Sequence, residues 1–434
     1  MNFEVAVSSF LTVALVLMAY RCRRSFATVF ILALAIFCVG LPLFRVAFGS
    51  APWPATNETI LFAYGGVALC AVSLFMTSIV YGDRGLARLS EWLVMAHPTI
   101  NEIKLSMLII VVNWVLRIYI LATTGIALSG SDGLATGSVS YLISSTMSMT
   151  SFLGGGAIFT LTIAVSRQRN YWIWLVIILE LAWTYTRLGR REVIFLAFAI
   201  IYIAWRAGAL SLLKAIPSIA IAGIGIYMIS PLFLITRGLN GYYVQVAGVD
   251  SITAMGYAFS DAFSACGIGF QCSELVSENI SERGNALEFI KYLVESERKG
   301  YPFLYGLALL NSMHRAIPSV ILAKPEMEVE QLIQSNFGMP LIDDAISMPA
   351  IAYADGGLIG CMIAGIFVAI FIRYFLWFAF KQRNELLALS MLFGLSRILW
   401  NIEIDLVYYV VLVRDSVIFL LIIYILKFIK NLRL

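Results

Sequence analysis

Residues 237–348 open Arg237-Gly238-Leu239-Asn240-Gly241-Tyr242-Tyr243 and close Leu341-Ile342-Asp343-Asp344-Ala345-Ile346-Ser347-Met348. This stretch holds thirteen acids, seven Lys and Arg, and one of the chain's two histidines, His314. It is the one long segment that cannot sit in a lipid bilayer, where each charge is costly. It is net negative by six, against +4 for the whole chain. Nearly everything on either side reads as apolar helix. The fold is therefore a set of membrane helices holding one polar excursion, and the excursion is the place to look for chemistry.

Composition agrees. The chain has 434 residues, 61% hydrophobic and 13% charged, with mean hydropathy +0.89. A soluble domain carries about 25% charge. The apolar runs are about 20 residues long and do not alternate, which excludes a β-barrel. The first run has Glu4 ahead of it and Arg21, Arg23 and Arg24 behind it. That is the reverse of a secretory leader, so the run is expected to remain as a span. The pI near 8.6 reflects basic loops on one side of a membrane and implies no nucleic-acid partner. Six cysteines show no Cys/His clustering of the metal-binding kind. Cys266 and Cys272 both lie in the excursion; a disulfide in an oxidising compartment and two free thiols are equally open there.

Runs long enough to cross a hydrocarbon core about 30 Å thick fall at 3–20, 26–48, 60–81, 105–127, 139–165, 171–186, 193–208, 211–236, 349–372, 385–402 and 406–426. They predict an all-α polytopic membrane protein of about 11 transmembrane helices. One integral domain covers 1–434, and residues 237–348 form a large periplasmic loop with short helices. Lys and Arg concentrate on the cytoplasmic side. Arg21, Arg23 and Arg24 follow the first run, which places the N-terminus in the periplasm. Parity then puts Arg84, Arg88, Lys104, Arg167, Arg206, Lys214, Arg373, Lys381 and the C-terminal tail in the cytoplasm. Loops 49–59, 128–138 and 403–405 fall outside and contain no Lys or Arg. The stretch 82–104, with Trp92 and His97, is expected to lie along the membrane surface.

One outer loop breaks the charge rule. Thr186-Arg187-Leu188-Gly189-Arg190-Arg191-Glu192 carries three arginines. Either Arg187, Arg190 and Arg191 grip a phosphate through two-pronged guanidinium contacts, or runs six and seven are mis-split and the loop is an ordinary cytoplasmic one. Arg237 follows, where the eighth run ends; it is either a further phosphate contact or an interfacial side chain that snorkels. Tyr242 and Tyr243 suit sugar faces, and also suit a membrane interface. Residues 284–299 have helical spacing, with Leu287, Ile290, and Leu293 or Val294 on one face, as in an amphipathic helix. Arg45, Arg117, Glu180, Arg397, Arg414 and Asp415 lie inside runs; structural pairing with Glu180 is one expected outcome. Arg414 and Asp415 are neighbours that point in different directions on a helix, so they are not expected to pair with each other.

Further along come Asn311-Ser312-Met313-His314-Arg315-Ala316-Ile317-Pro318 and Ala323-Lys324-Pro325-Glu326. Then follow Ser347-Met348-Pro349 and Tyr353-Ala354-Asp355-Gly356-Gly357-Leu358-Ile359-Gly360. Together with Gly189-Arg190-Arg191-Glu192 and the single late outer loop, these resemble the bacterial O-antigen polymerases of the Wzy type and related repeat-unit polymerases. In this family an aromatic-x-acid pattern followed by glycines opens the span after the loop; here the acid is Asp355.

The resemblance implies a GT-C-like glycosyltransferase of the inner membrane. Its donor would be a growing glycan on undecaprenyl diphosphate, and its acceptor a single lipid-linked repeat unit. A flippase and a chain-length regulator would be its neighbours in the pathway. The residues agree with that chemistry. A departing diphosphate needs cations, and Arg187, Arg190, Arg191, Arg237 and Arg315 supply them. Asp343 and Asp344 alone do not make a magnesium cage, so no metal or cofactor is expected. An acceptor hydroxyl needs a base or an orienting group. His314 is the first choice, with Arg315 beside it, and Asp355 follows. Tyr242, Tyr243 and Tyr353 are the expected sugar contacts. An O-antigen ligase would share fold and donor and differ in acceptor. A lipid-linked oligosaccharide transporter is the rival of another class, against which stand the single large excursion and the lack of evident internal repeats.

Overall fold

The structure, a computed structural model, describes residues 3–40, 55–124, 138–168, 172–188, 190–211, 251–266, 286–317, 327–339, 346–382, 384–401 and 406–432. Scattered positions between 213 and 249, and residues 43, 322 and 325, are also described. Among the described residues the chain is helical, with no strand. The helices, numbered here in chain order, are α1 (Phe3–Arg21), α2 (Ala27–Ala33, continued by a π-helical turn Leu34–Gly40), α3 (Asn57–Val80), α4 (Gly85–Met95), α5 (Ile100–Thr124) and α6 (Ser138–Gln168). Then come α7 (Trp172–Leu188), α8 (Arg190–Arg206), α9 (Ser251–Cys266), α10 (Ala286–Arg298), α11 (Leu307–Ala316) and α12 (Val329–Asn336). The last are α13 (Met348–Phe380), α14 (Glu385–Trp400) and α15 (Leu406–Leu432). Each predicted run falls on a helix except 211–236, most of which lies outside the described residues.

Among the described residues three helices, α1, α3 and α13, are long and apolar enough to cross a membrane, with mean hydropathy 1.9, 2.0 and 2.2. Helices α4 and α5, bent by 114° at the break between them, make a fourth if counted together. That bend separates α4, which carries Trp92, from the apolar α5. Helices α7 and α8 have 17 residues each, which at the helical rise reach about 26 Å, just short of a hydrocarbon core.

The chain forms two compact units. Unit 1 contains Met1–Arg88, Ser281–Phe378 and Leu395–Leu434. In it α1 packs on α2, the π-helical turn and α3, burying Leu15, Phe26, Phe30, Ile31, Leu34 and Leu74. Helix α10 lies against α3 and the π-helical turn. Its Leu287, Ile290, Leu293 and Val294 are all buried, as the spacing predicts, and each such side chain contributes about 1.5–3 kcal/mol. Lys291 on the same helix is also buried, in an ion pair with Glu4 at the start of α1, and Tyr64 donates to Glu4 at 3.4 Å. Arg298 ends α10; it pairs with Glu58 at 3.0 Å and donates to Thr56 Oγ1 at 3.2 Å. The opposite ends of the same helices are also tied. Leu86 N donates to Arg24 O at 3.0 Å, and Arg373 Nη1 to Tyr81 O at 2.7 Å.

One expectation is corrected here. Arg414 does pair with Asp415, Nε to Oδ1 at 2.8 Å. Adjacent Cβ atoms diverge on a helix, but the long guanidinium stem folds back past that divergence.

Unit 2 contains Leu89–Ile280 and Ala379–Gly394. Helix α6 packs along α5 and touches α7 and α8; α7 and α8 pack on each other, and α9 meets α5. Small residues let membrane helices approach closely, and Gly154-Gly155-Gly156 of α6 do so here. A Cβ on Gly155 would lie 2.0 Å from the Phe393 ring, and one on Gly156 would lie 2.6 Å from the Ser390 backbone nitrogen. The ring of Phe393 in turn meets Phe159 edge-on at 5.2 Å. Arg117 pairs with Glu180 at 2.9 Å, both buried, and Trp114 donates to the same carboxylate. The structural pairing is thus the outcome for these two charges, which lie within predicted apolar runs.

Candidate functional site

The site is organised by a break in α13. Gly357 has φ +58°, in the left-handed region that favours glycine, and a Cβ there would lie 2.9 Å from Phe303 Cζ. The turn before the break frees the carbonyls of Ala354 and Asp355. They accept from Leu304 N at 2.9 Å and Tyr305 N at 3.0 Å. The Asp355 carboxylate accepts from Ala308 N and Leu309 N, both at 3.0 Å. Helix α11 begins after Gly306 and has no side-chain cap of its own. Asp355 caps it from another helix, and its charge complements the positive end of the α11 dipole. The acid-then-glycine pattern at 355–357 thus fixes the start of the helix that carries His314.

The other end of α11 is held as firmly. Arg414 Nη1 donates to Ala316 O at 2.9 Å. Arg315 pairs with Glu328 at 2.6 Å, and Glu328, the residue before α12, donates its own N–H to Gln331 Oε1 at 3.2 Å. Asn311 Nδ2 donates to Met327 O at 3.2 Å. Cations at the last turn also suit the negative end of the dipole. Between these clamps, His314 Nε2 is buried with no hydrogen-bond partner among the described residues; so are Asn311 Oδ1 and Ser312 Oγ. Buried polar atoms are nearly always bonded, and exceptions call for a function or a bound molecule. The last turn of α11 therefore carries a buried imidazole nitrogen, while two partly exposed guanidinium groups, Arg315 paired with Glu328 and Arg414 with Asp415, hold the same turn.

Unit 1 thus gathers four of the residues singled out in the sequence, in distinct roles. His314 and Arg315 share the last turn of α11. Asp355 is at the other end, about 9 Å away along the helix axis, so it forms no hydrogen-bonded pair with His314. Tyr353 is buried, donates to Glu297 Oε2 at 2.7 Å, and meets the Phe303 ring edge-on. Unit 2 holds the others. Tyr242 is exposed and stacks edge-on with Tyr243, which meets Tyr257 likewise. Tyr243 donates to Asp261, and that bond pushes its phenol above the usual range. Arg187 lies in the last turn of α7, and Arg190 and Arg191 in the first turn of α8, so the basic loop is the tip of two mutually packed helices. The side chains of these three arginines lie outside the described residues, as do Arg237, Cys272 and the pair Asp343-Asp344.

Arg298, Glu297, Phe303 and the Ala316 contact of Arg414 are additions the sequence did not single out. Glu297 and Phe303 meet α13 at Tyr353, Arg298 ties α10 to the start of α3, and their partners lie tens to hundreds of residues away. A helical heptad of apolar positions gives no sign of such partners.

No family model, no curated protein and no solved structure matches this chain.

Proposed function

We propose that this protein is a polymerase of lipid-linked oligosaccharide repeat units, of the Wzy type, embedded in the bacterial inner membrane by about eleven spans in a GT-C-like arrangement. It transfers a growing glycan from undecaprenyl diphosphate to the hydroxyl of a new lipid-linked repeat unit. The observation that carries the reading is α11: a buried imidazole nitrogen without a partner among the described residues, on a helix held at both ends, with Arg315 in the same turn and Arg414 bonded to that turn's last carbonyl. His314 accepts or orients the acceptor proton at Nε2. Arg315 offers charge to the leaving diphosphate. Asp355 is a positioning residue, since its carboxylate is occupied by the N–H groups that begin α11. Arg187, Arg190, Arg191 and Arg237 are assigned to the diphosphate, and Tyr242 and Tyr243 to sugar rings. Arginine does the electrostatic work, so no metal or cofactor enters the scheme.

The charge ties of unit 1 support the expected topology. Glu4 meets Lys291 and Glu58 meets Arg298, and all four are assigned to the periplasmic side. Arg24 meets Leu86 and Tyr81 meets Arg373, all assigned to the cytoplasmic ends. A helix bundle with mixed orientation would not sort its ends in this way.

The test is complementation of a strain lacking this gene with His314→Ala. Protein should insert at normal levels while the polymer ladder disappears, with single repeat units still attached to their acceptor. A normal ladder would refute the assignment of His314.

A further inference from the structure

The end of unit 1 far from α10 carries a second cluster that the proposed reaction does not use. The connections after α1 and after α3 border an open cavity of about 510 Å³, lined by Arg21, Arg23, Arg24 and Arg84 together with Ser25 and Asp83. That volume falls in the range of small-ligand sites. The four arginines are exposed, and none makes an ion pair among the described residues; Arg23 only stacks on Tyr20, 4.6 Å from its ring centre. The single carboxylate of the cavity is already occupied. Asp83 accepts from Ser25 Oγ and, at 2.8 Å, from Gly85 N. Leu86 and Ala87 donate to Arg24 O at 3.0 and 3.2 Å, which locks the two connections together.

A bias of positive charge toward the cytoplasm asks only that cations be present in a loop. It does not ask that they surround a cavity or that the backbone beneath them be tied. We propose that this cradle binds a phosphoryl group, that of an anionic phospholipid headgroup at the membrane end of α1 and α3. Guanidinium groups grip phosphoryl oxygens in pairs. The wall continues onto Tyr20 and Ile79 at the ends of apolar helices, the depth at which a headgroup sits next to its acyl chains. The inference is independent of the polymerase reading, and either can fail without the other.

The test uses the purified full chain in detergent, melted with added phosphatidylglycerol, phosphatidylcholine or inorganic phosphate at constant ionic strength. Three proteins are compared: wild type, Arg23→Lys/Arg24→Lys/Arg84→Lys and Arg23→Gln/Arg24→Gln/Arg84→Gln. The Lys variant keeps the charge that sets topology and loses the two-pronged grip. Equal melting temperatures without lipid show that all three fold. Phosphatidylglycerol should raise the melting temperature of the wild type. The Lys variant should need about tenfold more lipid for the same shift, and the Gln variant should not respond. A response to inorganic phosphate equal to that to phosphatidylglycerol would keep the phosphoryl site and overturn the lipid as its source. Equal responses to phosphatidylcholine and phosphatidylglycerol, or an undiminished response in the Gln variant, would overturn the proposal.

Discussion

Lys291→Met should destabilise unit 1 by about 3–5 kcal/mol, the cost of stripping one partner from a buried ion pair. The magnitude follows from burial. The side chains of Lys291 and Glu4 are 1% and 5% exposed. At contact distance their attraction is roughly 6 kcal/mol for an effective dielectric near 20. Desolvation of the two ions offsets most of that, so the pair adds little beyond an apolar substitute. Removal of Lys291 alone leaves the Glu4 carboxylate buried without its ammonium, and the desolvation cost is then uncompensated. Glu4→Leu should cost a comparable amount, and Glu4→Leu/Lys291→Met should recover most of the loss. The assay is denaturant unfolding of the four proteins in one detergent, combined as a double-mutant cycle; with each single variant costing about 3–5 kcal/mol and the double about 1, the expected coupling is about 5–9 kcal/mol. Because Glu297 on the same helix holds Tyr353, activity should fall with stability in the single variants. A single variant within about 0.5 kcal/mol of wild type, or a double variant equal to the sum of the singles, would refute the reasoning.

Asp355→Ala removes the cap of α11 and should cost about 1–2 kcal/mol. Asp355→Asn should cost less, since its amide oxygen still accepts one N–H; hydrogen exchange at residues 307–311 reads both, and equal protection in all three proteins would contradict the cap. Gly156→Ala should destabilise unit 2 by about 1–3 kcal/mol, because its Cβ meets the backbone of Ser390. Gly154→Ala, which meets only the side-chain amide of Asn113, should cost less, and thermal melts compare them. Arg190→Ala and Arg191→Ala should abolish polymer, and Lys should rescue poorly because it cannot grip in two prongs; full rescue would reduce their role to net charge.

The helices were legible because long apolar runs have few alternatives. Helix α10 was legible from the spacing of Leu287, Ile290 and Leu293. Lys291 on that helix was not. It read as one more base of a solvated loop, and its burial depends on Glu4, 287 residues away. Arg414 and Asp415 show where helical geometry alone misleads, since Cβ direction does not limit a four-bond side chain. The glycines at 356–357 stood out only as part of the pattern that opens a span, and the sequence offered no way to see that Asp355 would begin another helix rather than face a substrate. His314 stood out by rarity, and only the structure shows its Nε2 buried and without a partner among the described residues. The two-unit arrangement was hidden because each unit is assembled from distant parts of the chain.

The most direct test of the central claim is deletion of the gene in its own host, with lipopolysaccharide or capsule read on a gel. A polymerase predicts that the ladder collapses to the acceptor bearing one repeat unit, and that wild type but not His314→Ala restores it. An unchanged ladder would contradict the account. An acceptor with no repeat unit at all, while polymer accumulates on its lipid carrier, would assign the chain to ligation instead.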